Sequence, residues 1–201
     1  RVLFRSMRLP MQCTTTPVKG LTIYENFMPQ NLHDAFSRVM KTGKGIKAEG
    51  NTHEYTFPDD NEFDEVFTPL ISLTFQKLKE LKLFPKEKLK LGCTLIGYKK
   101  DGYIKRHIDS PLLSGETVVV MSFNSPTIIR FYSEKGDGAI HRFLIPPRSM
   151  YIMTGEARHR WSHEINKDDT TFEGKTIEKT DRFALLLCDP GPLNESLVEE
   201  Q

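Results

Sequence analysis

His107, Asp109 and His163 supply two imidazoles and one carboxylate, and Arg182 follows a short distance downstream. Two histidines and a carboxylate form the ligand set that holds ferrous iron on one face and leaves the opposite face open. A planar, permanently charged guanidinium suits the two-pronged grip of a carboxylate, as on a dicarboxylate cosubstrate. Together the four residues point to an oxygenase.

A His-x-Asp triplet alone carries little weight, so its surroundings decide its value. His107 ends a run of strand character and Asp109 stands two residues on. In an extended chain both side chains therefore project from the same face. Gly102 and Pro111 flank the triplet and are placed to turn the chain at the mouth of a barrel. His163 lies far along the chain, in Gly155-Glu-Ala-Arg158-His-Arg-Trp161-Ser-His163-Glu-Ile165, as a third ligand from another strand of a jelly roll requires. Four other histidines fit less well. His33 falls on the polar side of a helix, His53 falls in a loop, and His141 and His159 have no acidic partner at ligand spacing. They read as ordinary surface or core residues.

The elements that must position these groups change character along the chain. Pro29 can open a helix, Leu32, Ala35, Phe36, Val39 and Met40 recur at helical spacing, and Gly43 is placed to stop it. Residues 43–62 read as a long polar loop. Thr68-Pro69 resembles a cap followed by proline at the first helical position. Leu70, Ile71, Thr74, Phe75, Leu78 and Leu81 form the next stripe, which Pro85 ends. Runs rich in β-branched and aromatic residues follow: Cys93–Tyr98, Tyr103–His107, Glu116–Phe123, Thr127–Tyr132, Ile140–Ile145, Met150–Thr154, Thr171–Ile177 and Phe183–Cys188. These short strands predict a mainly β, α+β fold: a double-stranded β-helix (jelly roll) with two N-terminal helices packed on one sheet. The expected organisation is a basic extension over residues 1–20, one domain over 21–188 and a flexible acidic tail over 189–201.

Composition narrows the function classes. The 201 residues suit a single domain, and 28 Lys+Arg against 27 Asp+Glu give a net charge of +1, so no global field advertises a polyanionic partner. Lys99, Lys100, Lys105 and Arg106 form a local basic cluster before His107, which reads either as a nucleic-acid contact or as a solvated face. Cys13, Cys93 and Cys188 form no C-x-x-C pair, which indicates neither a zinc site nor a disulfide framework. No run approaches the 18 or so apolar residues that span a bilayer, so membrane insertion is not expected, and a monomer is. The first acid is Glu25, and Arg1, Arg5 and Arg8 share one helical face. This is the composition of a mitochondrial presequence or its remnant, with a ragged basic terminus as the plainer reading.

Three segments, covering roughly residues 92–188, resemble the AlkB-like dioxygenases that use iron and 2-oxoglutarate. They are Tyr98-Lys-Lys-Asp-Gly102-Tyr-Ile-Lys-Arg-His107-Ile-Asp109-Ser110, Gly155-Glu-Ala-Arg158 through Trp161-Ser-His163-Glu-Ile165, and Asp181-Arg182-Phe183-Ala-Leu-Leu-Leu187. Ser125-Pro126, Arg130 and the Ser149–Thr154 stretch are similar to a mitochondrial branch of that family. The resemblance implies His107, Asp109 and His163 as ligands of Fe(2+). It implies Arg182 on the distal carboxylate of 2-oxoglutarate, with Tyr98 and Tyr151 as hydrogen-bond donors to that cosubstrate. Molecular oxygen is the other co-substrate it implies. One position departs from the pattern. The family has a second arginine six residues after the first, where this chain has Cys188, and Arg130 and Arg158 are the candidates to compensate.

The resemblance implies demethylation or hydroxylation of a macromolecule, methylated RNA or protein, in the mitochondrion, with cytoplasm or nucleus as the alternative. His53, Tyr55 and Phe57 in the 43–62 loop are candidate stacking residues. Cys188 motivates the other function class, a non-catalytic AlkB-fold scaffold that binds metal and a protein partner. An accidental triplet in a jelly-roll binding module is the third reading.

Overall fold

Apolar residues recur at a helical period in two stretches of the first part of the chain and at a period of two in much of the rest. The computed structural model describes residues 10–42, 44–48, 50, 52–56, 60–83 and 92–192. Helix α1 (Gln30–Thr42) follows Pro29 and buries Phe36, Val39 and Met40. Helix α2 (Asp60–Glu80) begins eight residues before the expected Thr68-Pro69 start and carries Pro69 in its interior. The proline is tolerated because its ring and the residue one turn before it, Glu65, both face solvent. The carbonyl that loses its N–H partner is therefore on the wet side. Val66 and Phe67 extend the buried stripe into that first part, packing on the same core as Leu70 and Leu78. The helix stops without glycine. Lys82 takes φ 54°, and the amides of Lys82 and Leu83 return to the carbonyls of Lys79 and Leu78 at 3.0 and 3.1 Å. Pro85 lies outside the described residues.

The described residues contain fourteen strands. An eight-stranded sheet has the order β1 (Gln12–Thr15), β2 (Leu21–Glu25), β10 (Met150–Thr154), β7 (Ser114–Phe123), β14 (Arg182–Pro190), β5 (Gly92–Tyr98), β4 (Thr52–Thr56), β3 (Lys44–Ala48). A four-stranded sheet has the order β6 (Ile104–His107), β11 (Trp161–Ile165), β8 (Thr127–Ser133), β9 (Ile140–Ile145). The five-residue helix α3 (Gly155–His159) links β10 to β11. This is the expected jelly roll with both helices on one sheet. Alternation along the large sheet makes two cores. Leu95, Val119, Met121, Phe183, Leu185 and Leu187 face the helices, where Phe36 stacks on Phe123 at 4.0 Å. Val118, Val120, Tyr151, Met153 and Ala184 face the small sheet. Burying each large aliphatic or aromatic side chain contributes about 1.5–3 kcal/mol, so both faces resist a register slip, which would exchange them.

Several expected boundaries change. The 43–62 stretch is not a loop: residues 44–48 and 52–56 pair as a hairpin, and β4 adds Thr52 opposite Tyr98 to the edge of β5. A polar edge hairpin satisfies that strand's backbone groups without an apolar alternation that periodicity can detect. Gly50, at φ 70°, is required at its bend, because a Cβ there would lie 2.3 Å from the carbonyl oxygen of Tyr103. Thr171–Ile177 is not one strand but a small hairpin, β12 (Thr171–Phe172) and β13 (Lys175–Thr176), turned at Glu173 and Gly174, both with positive φ. Within the expected N-terminal extension, Gln12–Thr15 is a strand and Val18 is fully buried; residues 1–9 lie outside the described residues. Asp189, expected in the flexible tail, instead accepts hydrogen bonds from the amides of Glu116 and Thr117 at 2.8 and 2.6 Å. Residues 193–201 are not described.

Lys82→Gly is expected to raise stability by about 0.5–1 kcal/mol, the left-handed strain of an L-residue less the chain entropy of glycine. Urea unfolding checks this, and a loss of stability would show that the lysine side chain contributes more than its backbone costs.

Candidate metal and cosubstrate site

His107 and His163 become neighbours because β6 and β11 pair with those two residues directly opposite, before a register shift between His163 and Ile165. Their rings lie 4.4 Å apart. The chain then leaves β6, and the loop returns the Asp109 carboxylate to the same place. Its Oδ1 is 3.2 Å from His107 Nε2 and 3.9 Å from His163 Nε2, and the three ligand atoms lie within 4.8 Å of one another. An octahedral ion with bonds near 2.0–2.1 Å puts facial neighbours about 3 Å apart, so the triad can close on one ion with small movements. This is the grouping of metal-ligating side chains among the described residues.

The imidazoles are prepared differently. The Nδ1–H of His107 donates to the carbonyl of Lys105 at 2.7 Å, so Nε2, facing Asp109, donates to that carboxylate when the ring is protonated and offers its lone pair to a metal when the ring is neutral. The hydrogen bond to Asp109 raises the His107 pKa above its ordinary value, against desolvation. His163 is buried, and desolvation lowers its pKa to about 4, against the attraction of Asp109. It is therefore a neutral imidazole, the form that binds metal. Desolvation opposes ionisation of Asp109, but its bond to His107 and the charges of His163, His107 and Arg158 outweigh burial and hold its pKa below the usual carboxylate range.

Arg182 opens β14 on the interior face, opposite Tyr98 of β5. Its Nε donates to Ser122 Oγ at 3.0 Å, its guanidinium carbon lies 4.8 Å from the centre of the Tyr98 ring, and its buried Nη1 has no hydrogen-bond partner. A buried cation with an unused N–H demands an acceptor, and a carboxylate is the acceptor its fork fits best. Tyr98 and Tyr151 border the same interior. Burial raises both phenol pKa values, so both stay protonated and can donate, and Tyr151 senses the charges of Arg182 and Asp109. The donor set thus fits a dicarboxylate between Arg182 and the triad.

Several residues of the site escaped the sequence analysis. Ser122 is the polar residue at an inward position of β7 and anchors Arg182. Lys179 shares a pocket with Arg182, Tyr98 and Thr127, donates to the carbonyl of Asn166 at 3.2 Å, and has its pKa lowered by desolvation. His33 is buried rather than on a polar surface. Its Nε2 accepts the amide of Asn124 at 3.1 Å, and Asn124 Nδ2 in turn donates to the carbonyl of Asp181 beside Arg182. His159 does have an acidic partner, Glu116 at 2.9 Å, while His141 lies in ring contact with Trp161. The side chains of His53, Tyr55 and Cys93, and the whole of Phe57, lie outside the described part of the chain.

Cys188 projects from the same side of β14 as Arg182, half-buried against the interior core. Arg130 does not compensate for it. The residue points away from the interior, between the inward Ile129 and Phe131, and forks onto Asp169 at 2.5 and 2.6 Å.

The family model of the 2OG-Fe(II) oxygenase superfamily matches residues 19–187. The chain belongs to that superfamily. Its members use Fe(II) and 2-oxoglutarate, and the triad and Arg182 are the residues suited to hold them. Within the superfamily the chain is AlkB-like. It is 32% identical over 104 residues to "alpha-ketoglutarate-dependent dioxygenase alkB homolog 7, mitochondrial" of Bos taurus, which covers 52% of this chain and 47% of the bovine protein. The Mus musculus protein of the same name is 28% identical over 113 residues, 56% of this chain and 51% of the mouse protein. The chain thus spans about half the length of the curated relatives it matches. Among solved structures, OsALKBH1 superposes with a TM-score of 0.54 at 14% identity, covering 90% of this chain and 100% of that one. A prolyl hydroxylase from Trichoplax adhaerens does so at 0.60 and 13% identity, covering 89% and 86%. These likenesses show the shared jelly-roll fold.

In the metal-free protein the two ligand histidines are expected to titrate far apart, His107 above the ordinary 6.5 and His163 near 4. Because binding needs both rings neutral, metal affinity should fall as pH drops through the raised His107 value, with one proton taken up. Histidine ring NMR alongside a metal titration checks this, and the reverse order of the two rings would contradict the hydrogen bonding described.

Proposed function

We propose that the protein is an active Fe(II)- and 2-oxoglutarate-dependent dioxygenase that demethylates or hydroxylates a macromolecule, methylated RNA or protein. The observation that carries this reading is the buried Arg182 guanidinium with an unpartnered N–H on the same interior that holds the His107–Asp109–His163 triad. When bound, iron and 2-oxoglutarate supply the oxidative chemistry, in which decarboxylation to succinate is coupled to hydroxylation of a C–H bond. The chain's residues do the rest. Arg182 grips the distal carboxylate, Ser122 keeps the guanidinium from turning away, and the protonated phenols of Tyr98 and Tyr151 donate to the bound dianion. The apolar interior around Val118, Val120 and Ala184 excludes water. An N-methyl target would yield a hydroxymethyl group that collapses to formaldehyde.

Protein is the better-supported substrate class. In the basic cluster before His107, Lys99 is paired with Asp181 at 3.0 Å. Arg106 is paired with Glu134 at 2.5 Å and lies over the Tyr132 ring. Two of the four cations in that cluster thus face carboxylates, while Ile108, Leu112 and Leu113 expose apolar surface around Asp109. A mitochondrial location is supported by the names of the bovine and mouse relatives. No described helix is long and apolar enough to cross a membrane. The scaffold reading stays attached to Cys188 and is decided by turnover.

Succinate release and oxygen uptake, measured against methylated peptides, N-methylated RNA and single-stranded DNA, test the proposal. His107→Ala and Asp109→Ala are expected to abolish succinate formation, and wild-type-like turnover in either would contradict the ligand assignment. Arg182→Ala should cost about 2–5 kcal/mol in 2-oxoglutarate binding. A wild-type protein that binds metal and 2-oxoglutarate without forming succinate would favour the scaffold.

A further inference from the structure

We infer that Arg158 is a positioning residue for the metal site, acting through the main chain that carries Asp109. The inference rests on reading the triad as a metal site. Arg158 is 2% exposed and heads the largest fully buried side chains of the protein. It sits on the short helix α3, which is tied down by the amides of Thr154 and Ala157 donating to the carbonyls of Gly20 and Lys19, each at 2.9 Å.

From that base its guanidinium reaches four backbone carbonyls. Nε donates to Gly115 at 3.0 Å, Nη1 to Asp109 at 2.7 Å, and Nη2 to Ser114 at 2.8 Å and Ser110 at 3.3 Å. These acceptors bracket the turn that leaves His107 and returns to β7. A buried guanidinium spread over main-chain oxygens is costly unless its geometry is used. Here the fork sets the distance between the two sides of the turn, and with it the direction of the Asp109 carboxylate. Asp189 closes the same turn from β14, through the amides of Glu116 and Thr117.

Lysine at 158 could match the charge but not the span, because a compact ammonium cannot bridge carbonyls on both sides of the turn. This separates geometry from electrostatics.

Co(II) titration of the full chain, read by its visible d–d bands and accompanied by thermal unfolding, tests the inference. Arg158→Lys is expected to weaken Co(II) binding by about 10–100-fold and to alter the band pattern. Arg130→Lys, which disturbs the Asp169 pair on the outer face of the small sheet, should lower the melting temperature and leave Co(II) affinity unchanged. A folded Arg158→Lys protein with wild-type affinity and spectrum would overturn the inference alone. A wild-type protein without Co(II) affinity would overturn the triad assignment as well. Should Arg158→Lys not fold, the wild-type protein carries the test by reciprocity. Zn(II) binding must then slow hydrogen exchange at Arg158 Nε–H, and unchanged exchange would overturn the inference.

Discussion

The direct opposition of His107 and His163 across β6 and β11 is the constraint on which the rest of the site depends. A shift of one residue would send His163 to the outer face and bring Glu164 inward, replacing a neutral ligand by an acid already bonded to Tyr132 at 2.6 Å. The register is defended on both sides of β11. Trp161, His163 and Ile165 fill the interior, while Ser162 and Glu164 bond to Glu134, Arg106 and Tyr132 outside. Sheet packing therefore imposes the alignment that groups His107, Asp109 and His163.

Buried charge is handled in two distinct ways. On the outer face of the small sheet, Asp169 is satisfied by Arg130 and Arg142, and the resulting cluster holds the 166–171 segment against β8 and β9. Inside, the cations stand apart from carboxylates. Arg158 is spread over carbonyls, and Arg182 keeps one N–H unpaired beside Ser122 and Tyr98. The first arrangement is closed and the second leaves capacity unused. That difference separates a structural network from a place where an anion can be received.

Much of this was readable from residue order. His107, Asp109, His163, Arg182, Tyr98 and Tyr151 were named from types, spacing and resemblance, and the structure brings them around one interior. Periodicity located β5 to β10 and β14, seven of the fourteen described strands, and passed over the short buried strands β2 and β11. What it could not reveal is what backbone hydrogen bonding alone decides. The β3–β4 hairpin is polar, β1 is four exposed residues, and α2 runs through a proline whose lost bond faces water. Arg158 was considered only as a substitute for a missing arginine. Its contacts are main-chain oxygens, which leave no trace in side-chain identity.

The position of β14 has a consequence for how the molecule is made. The last strand of the domain lies in the middle of the large sheet, hydrogen-bonded to β7 on one side and β5 on the other. Until residues 182–190 arrive, those two strands cannot belong to one sheet, and each presents an open edge. The nascent chain therefore lacks both Arg182, with its unpartnered N–H, and the strand that unites the barrel. Such closure by distant contacts is slow and exposes strand edges while it waits. The Arg182 site and sheet integrity appear in a single late step, so a chain cut short before Arg182 is a folding intermediate rather than a weakened version of the protein.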